Sequence, residues 1–258
     1  MSDVAQPITY PPAITVEDFA RNLDAVQARI ARAAARAGRD PRSVRLLPVS
    51  KTVAEDRLRN AVAAGYHRLG ENKVQEAKRK SENLADLDVS WAVVGHLQTN
   101  KARDVAAFAA EFQALDSLRL AEALDRRLQA AGRSLDVFVQ VNTSGEESKY
   151  GLSPDEVPAF LAALPRFETL RVQGLMTLAL FSSDLERVRA CFVRLRTLRD
   201  RARDTDPDLI GPGELSMGMS GDFEVAIDEG ATCVRVGQAL FGSRAPRYDE
   251  AHYWPSGT

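Results

Sequence analysis

The chain is poor in the side chains that bind metals or form covalent bridges. Its 258 residues include two cysteines, Cys191 and Cys233, and three histidines. The cysteines lie far apart, one in a helical pattern and one in an apolar strand, so buried thiols are expected rather than a disulfide. No histidine stands at metal-ligand spacing, which sets metal chemistry aside. Charge of one sign is also lacking. With 34 Lys+Arg against 36 Asp+Glu the formal net charge is -2, so nothing global draws the chain to nucleic acid or to a membrane. No stretch approaches the ~20 apolar residues of a membrane helix. The amino terminus, MSDVAQPITYPPAITVEDFA, carries acidic residues and prolines and has no apolar run of signal-peptide length. A cytoplasmic protein is expected, whose partners are read by local sites. What the chain does have is 45% hydrophobic residues, enough for a sizeable core.

Residues 1–14 read as a flexible arm and 15–258 as a single domain. Val16 to Ala37 places Phe19, Leu23, Val26 and Ile30 at three- and four-residue intervals among arginines, an amphipathic helix that GRDP stops. A repeating order of apolar run, polar junction, helical stretch and turn follows. Candidate strands are Val44 to Ser50, Arg68 to Gly70, Trp91 to Gly95, Glu111 to Leu115, Asp136 to Val141, Val172 to Met176, Glu214 to Met217 and Cys233 to Val236, the second and seventh being the weakest. Helical candidates include Ala54 to Ala64, Leu118 to Ala131, Pro154 to Leu164, Asp184 to Arg203 and Asp222 to Glu229. Strands that alternate with helices imply right-handed crossovers and parallel pairing, and eight such units predict an α/β fold closed as a (β/α)8 TIM barrel with an extra amino-terminal helix. The competing open doubly wound sheet usually carries a Gly-rich turn after its first strand; SKTVAED has no glycine.

In such a barrel the chemistry gathers at the carboxyl ends of the strands. The first strand, LLPVSK, ends in Lys51, either an ordinary solvated lysine or an amine held at a pocket rim to form a Schiff base. Asp116, Ser117 and Thr143 read as loop starters or helix caps. Arg235 in TCVRVG shares a strand face with Cys233 and Gly237. Pointing outward, it would bury a permanent charge beneath packed helices. Pointing inward near the top it reaches a ligand, unless it pairs with a strand-end carboxylate such as Glu71. Ser220 and Gly221 precede a helix whose first amides can hold an anion, and Gly237-Gln238 offers further amides. Ser220 as a simple cap is compatible with the same geometry. An amine on strand one, an arginine on strand eight and a phosphate cradle between strands seven and eight form a constellation suited to pyridoxal phosphate.

At this point the sequence resembles a known family, the pyridoxal phosphate homeostasis proteins (YggS/PROSC), whose barrel is similar to the amino-terminal domain of alanine racemase. The motifs LLPVSKT, LGENKVQEAKRK, WAVVGHLQTNKARD, VQVNTSGEESKYGL, VQGLMTLA and LSMGMSGDFEVAIDEGATCVRVGQALFGSR carry the resemblance from about Val44 to Arg244. It implies a fold type III pyridoxal phosphate barrel with the cofactor on Lys51. Ser220, Gly237 and Gln238 would form its phosphate site, with Arg235 facing the pyridine and Asn72 close by. Gly221 departs from a position that is often polar in the family. Only Ala245 to Thr258 follow the last motif, too few for the carboxyl-terminal β domain that supplies alanine racemase with a second base.

The expected function is therefore a carrier that buffers or delivers pyridoxal 5′-phosphate, without efficient turnover, acting as a monomer, with pyridoxal phosphate-dependent apoenzymes as candidate partners. The alternatives are an amino-acid racemase, with His96 or Tyr150 as the partner base, and a cofactor-free Schiff-base aldolase using Lys51. Lys149 in ESKYG is a candidate second amine or a solvated loop residue.

Overall fold

A computed structural model describes residues 9–146 and 148–243. The strands are β1 (Arg45–Pro48), β2 (Arg68–Glu71), β3 (Ser90–Val93), β4 (Glu111–Leu115), β5 (Leu135–Gln140), β6 (Leu170–Met176), β7 (Glu214–Ser216) and β8 (Cys233–Val236). They pair in parallel in the order β1-β8-β7-β6-β5-β4-β3-β2. The two ends of that order meet where Ser50 N–H donates to Gly70 C=O at 2.9 Å beside a parallel Val49–Gly70 bridge. The sheet is thus a closed barrel. Both weak strands form, and all eight lie within two residues of the expected bounds at each end.

The helices are α1 (Val16–Arg36), α2 (Glu55–Ala63), α3 (Val74–Asn83), α4 (Ala102–Phe108), α5 (Leu118–Ala131), α6 (Val157–Ala163), α7 (Leu185–Thr205), α8 (Phe223–Asp228) and α9 (Gln238–Phe241). A reciprocal capping box starts α1, with Asp18 N–H donating to Thr15 Oγ1 and Thr15 N–H to Asp18 Oδ2. Ser117 caps α5, as its sequence position suggested, and Gly132 ends that helix at φ +62°, where a side chain would be strained. Pro154 to Leu164 is not one continuous helix. A 3-10 turn, Pro154–Glu156, leads into α6 because Pro154 and Pro158 remove backbone donors from the first turns. Helices α3 and α4 have no counterpart among the helical candidates, since their charged residues dilute the apolar period.

Most of the core fills the space between the sheet and the helices. A smaller group, Leu47, Ala92, Val94 and Cys233, lies on the opposite side of the same strands, inside the barrel. The free thiols of Cys191 and Cys233 are both buried. Of the expected arm, 1–8 lies outside the described residues. Its remainder is tied to the chain's other end, with Tyr10 and Ser243 exchanging backbone and side-chain bonds at 2.8 Å. Residues 244–258, which include the short tail Ala245 to Thr258, lie outside the described residues. Among the described residues no helix is long and apolar enough to cross a membrane, and no cluster of His, Cys, Asp or Glu could hold a metal.

Candidate functional site

Leu47 and Val49 point into the barrel, where a Cβ added to Gly70 would touch both at 3.3–3.4 Å. Ser50 turns the other way, its hydroxyl donating to Glu71 Oε1 at 2.7 Å. Lys51 follows at once, half-buried, in the turn that Val53 N–H closes on Ser50 C=O at 3.0 Å at the carboxyl end of β1. On one flank stands β8. Its Gly237 lies so close to β1 that a Cβ there would sit 3.2 Å from Val49 C=O. On the other flank, β2 leads into Asn72, whose carbonyl occupies the space that a Cβ on Gly95 would need, at 2.1 Å.

Arg235 pairs in register with Leu47 and is 4% exposed. Its Nη1 donates to Ser216 Oγ at 2.6 Å and its Nη2 to Thr177 C=O at 2.7 Å. Inward orientation follows, and the ion pair to Glu71 does not form, because Glu71 is taken by Ser50 and by Lys80. Among the described residues no carboxylate lies within ion-pairing distance of Arg235. Burial pushes its guanidinium pKa down. Behind it a polar chain crosses the barrel interior. Ser216 Oγ donates to Gln113 Oε1 (2.7 Å), and Gln113 Nε2 donates to Glu111 Oε1 (2.6 Å). Glu111 in turn pairs with Arg45 (3.0 Å) and Arg68 (3.3 Å). Ser216 must accept from Arg235 while donating to Gln113, so the chain fixes the direction of every proton along it.

The anion end is built differently from the expectation. Helix α8 begins at Phe223, and Asp222 stands between it and Ser220, accepting Met219 N–H at 2.5 Å. Burial raises the Asp222 carboxyl pKa. Ser220 instead accepts Ala239 N–H of α9 at 3.4 Å, so its hydroxyl joins the loop after β7 to the helix after β8. The amides of Gly237 and Gln238 stand at the start of α9 without an intrahelical acceptor, and the Ser220 hydroxyl meets the same helix at Ala239 N–H. Lys51, Arg235, Gly237 and Ser220 are therefore brought together at β1, β7 and β8, with the exposed Gln238 at their edge and Asn72 beyond Lys51 on β2.

At the ends of β3, β4 and β5, His96 stacks on Tyr150 with ring centroids 3.8 Å apart and planes 7° from parallel, and its Nδ1 lies 3.6 Å from Asp116 Oδ2. Asp116 is thus not simply a loop starter; burial raises its carboxyl pKa against the pull of His96. Thr143 is not a cap either, since its hydroxyl bonds Thr177 Oγ1 at 2.9 Å. Lys149 is not solvated: it pairs with Glu146 and donates to Ala179 C=O at 3.1 Å. Lys80, fully buried behind β1, was missed among the site residues. Its spacing of four from Glu76 in GENKVQEAKRK was the available signal.

The family model "Alanine racemase, N-terminal domain" matches residues 21–245. A pyridoxal phosphate homeostasis protein of Pseudomonas aeruginosa is 44% identical over 226 residues, 88% of this chain and 96% of that one. Its namesake from Escherichia coli K12 is 37% identical over 236 residues, 89% and 98% of the two chains. Among solved structures, PipY of Synechococcus elongatus with PLP bound aligns with a TM-score of 0.77 at 36% identity, covering 87% of this chain and all of that one. Alanine racemase of Clostridium difficile shares the fold at 17% identity, with a TM-score of 0.71 over 95% of this chain and 61% of that one. With the barrel, the motif order and these relatives in agreement, the chain belongs to the alanine racemase N-terminal domain family, among the pyridoxal phosphate homeostasis proteins.

Proposed function

We propose that this protein binds pyridoxal 5′-phosphate at the β1–β8 mouth and serves its homeostasis, buffering or delivering the cofactor. One observation carries the reading. Arg235 is a buried cation whose hydrogen bonds go to neutral acceptors, and among the described residues only the carboxylates of Asp222 and Glu111, beyond ion-pairing distance, offset its charge, a costly arrangement that a ligand acceptor relieves. A pyridine nitrogen with a phosphate on the same ring fits the donors present. Arg235 faces the ring nitrogen, while Ser220 and the Gly237 and Gln238 amides receive the phosphate. Gly237 lacks the Cβ that would crowd Val49. Lys51 supplies the amine and Asn72 borders the ring from β2. When bound, the group supplies an aldehyde that an amine captures reversibly. The pyridoxal phosphate-bound PipY structure supports binding of the same group by relationship.

The test is borohydride reduction of the purified protein followed by peptide mass spectrometry. A pyridoxyl group on Lys51 is expected, absent in Lys51→Ala, which keeps its fold because a rim lysine adds little to packing. Full labelling of the mutant would overturn the assignment, and a wild-type chain that never labels would favour the aldolase reading. Efficient turnover is not expected. A racemase needs an acid/base group on the face opposite Lys51, and His96, the nearest candidate in kind, is stacked on Tyr150 and directed at Asp116. Deuterium wash-in at the α carbon of common amino acids, run with chiral chromatography, should give at most slow exchange. Rapid Lys51-dependent inversion would make the protein an enzyme. The same proposal holds it to be a cytoplasmic monomer that passes the cofactor to apoenzymes.

A further inference from the structure

Behind β1, on the outer face of the sheet, Lys80 of α3 has no exposed surface. Its ammonium donates to Ser50 C=O at 2.9 Å, to Glu71 Oε1 at 2.7 Å and to Glu76 Oε1 at 2.7 Å, which uses all three of its N–H groups. The same Glu71 oxygen accepts the Ser50 hydroxyl, and the same Glu76 oxygen accepts Thr52 N–H at 2.7 Å. One buried cation thus grips the residues on both sides of Lys51. Thr52 is held at φ +67°, the one non-glycine residue at positive φ among those described, and it is β-branched, for which that conformation is especially unfavourable. Val53 N–H closes the turn on Ser50 C=O at 3.0 Å, and the bonds to Lys80 and Glu76 offset the cost of placing a β-branched residue at its third position. Although burial opposes ionisation of Glu76, Lys80 and the Thr52 amide together hold its carboxyl pKa below the usual range, which keeps it a charged acceptor.

We propose that Lys80 is a positioning residue for Lys51. Through Glu71 and Glu76 it holds the Ser50-Lys51-Thr52 turn in the strained form that carries the Lys51 amine off the strand line and into the mouth. The inference rests on the proposed attachment of pyridoxal phosphate to Lys51. Releasing the clamp costs covalent attachment and spares the donors on β7 and β8.

The test compares Lys80→Met and Glu76→Ala, each with and without Thr52→Gly, at a fixed pyridoxal phosphate concentration. The readouts are pyridoxyl-Lys51 after borohydride by peptide mass spectrometry, and thermal melting of the cofactor-free chain. Both single variants should lose labelling by about tenfold or more, the scale on which small misplacements act. Thr52→Gly should restore most of it, because glycine holds positive φ without help. Loss of the buried Lys80–Glu71 pair lowers the melting temperature in either case, whereas a purely structural lysine predicts labelling kept in the folded fraction and no effect of glycine on it. If Lys80→Met does not fold, Glu76→Ala decides, since Glu76 is only partly buried. Labelling at the wild-type level in folded variants, or a loss that Thr52→Gly leaves in place, overturns the clamp alone. Absence of labelling in the wild type overturns the attachment to Lys51 as well.

Discussion

At the scale of single residues, Arg235 is where sequence and structure inform each other most closely. Strand alternation put Cys233, Arg235 and Gly237 on one face, and the cost of burying a charge beneath packed helices favoured the inward direction. Its partners were not legible. Ser216 and Thr177 come from β7 and the end of β6, and no spacing in TCVRVG points to them. Replacing Arg235 by leucine removes a buried charge that pairs with no carboxylate among the described residues, so the cofactor-free protein should melt no lower than wild type, or higher. Retention of pyridoxal phosphate should fall by about tenfold or more, as expected for loss of a charge-assisted hydrogen bond of roughly 1.5–3 kcal/mol. Calorimetry and equilibrium dialysis measure the two effects separately. A melting temperature lowered by several degrees with unchanged retention would make Arg235 a structural member of the Ser216–Gln113–Glu111 chain.

At the scale of elements, the site is made by close approaches between strand ends. Gly95, just after β3, lies against the Asn72 carbonyl so tightly that a Cβ would fall 2.1 Å from the oxygen. Gly95→Ala must therefore push the end of β2 aside, at a cost of about 1–3 kcal/mol for overpacking. Urea denaturation should show the loss of stability. The displaced Asn72 should also weaken cofactor retention, whereas Gly221→Ala, which has open space around it, should do neither. Equal behaviour of the two variants would show that Asn72 does not need its present place. The strand bounds could be read to within two residues, but the role of Ser220 could not. Its sequence position suggests a cap for the helix that follows, yet the chain turns back so that Ser220 meets α9, nineteen residues on.

At the scale of the whole molecule, β1 pairs with β8 on one side and meets β2 on the other, and α1 covers that seam between the chain's late and early units. Phe19 packs edge-on against Tyr66 and Phe241 with centroids 5.8 Å away, and Tyr66 Oη donates back to Phe19 C=O at 3.0 Å. Asn22 bonds Leu240 C=O, and Arg57 bonds both Ala13 C=O and Phe241 C=O, so amino-terminal, early and late segments are tied at one place. Phe19→Ala should cost about 3–5 kcal/mol as a buried aromatic truncation. Because Phe19 is on the outer side of the seam, labelling of Lys51 should survive wherever the variant remains folded. Chemical denaturation followed by borohydride labelling of the native fraction checks both parts. Loss of labelling in a folded variant would mean that the seam controls the mouth.

The sequence by itself determined the class of fold, because apolar runs of period two alternating with helical patterns leave few topologies open. It also put an amine, an arginine and glycine-bearing loops at the strand ends. Only the tertiary structure decided what those residues are held by. Lys80 reaches Ser50, thirty residues earlier in the chain; Arg235 rests on Ser216 and Thr177; and a line of polar side chains runs through a barrel interior that strand alternation alone would fill with apolar groups. The reason is physical. Periodicity reports which face of an element is buried, whereas the partner of a buried polar group is set by register and closure among strands far apart in the chain, and the need to satisfy that group is met only once the barrel has formed.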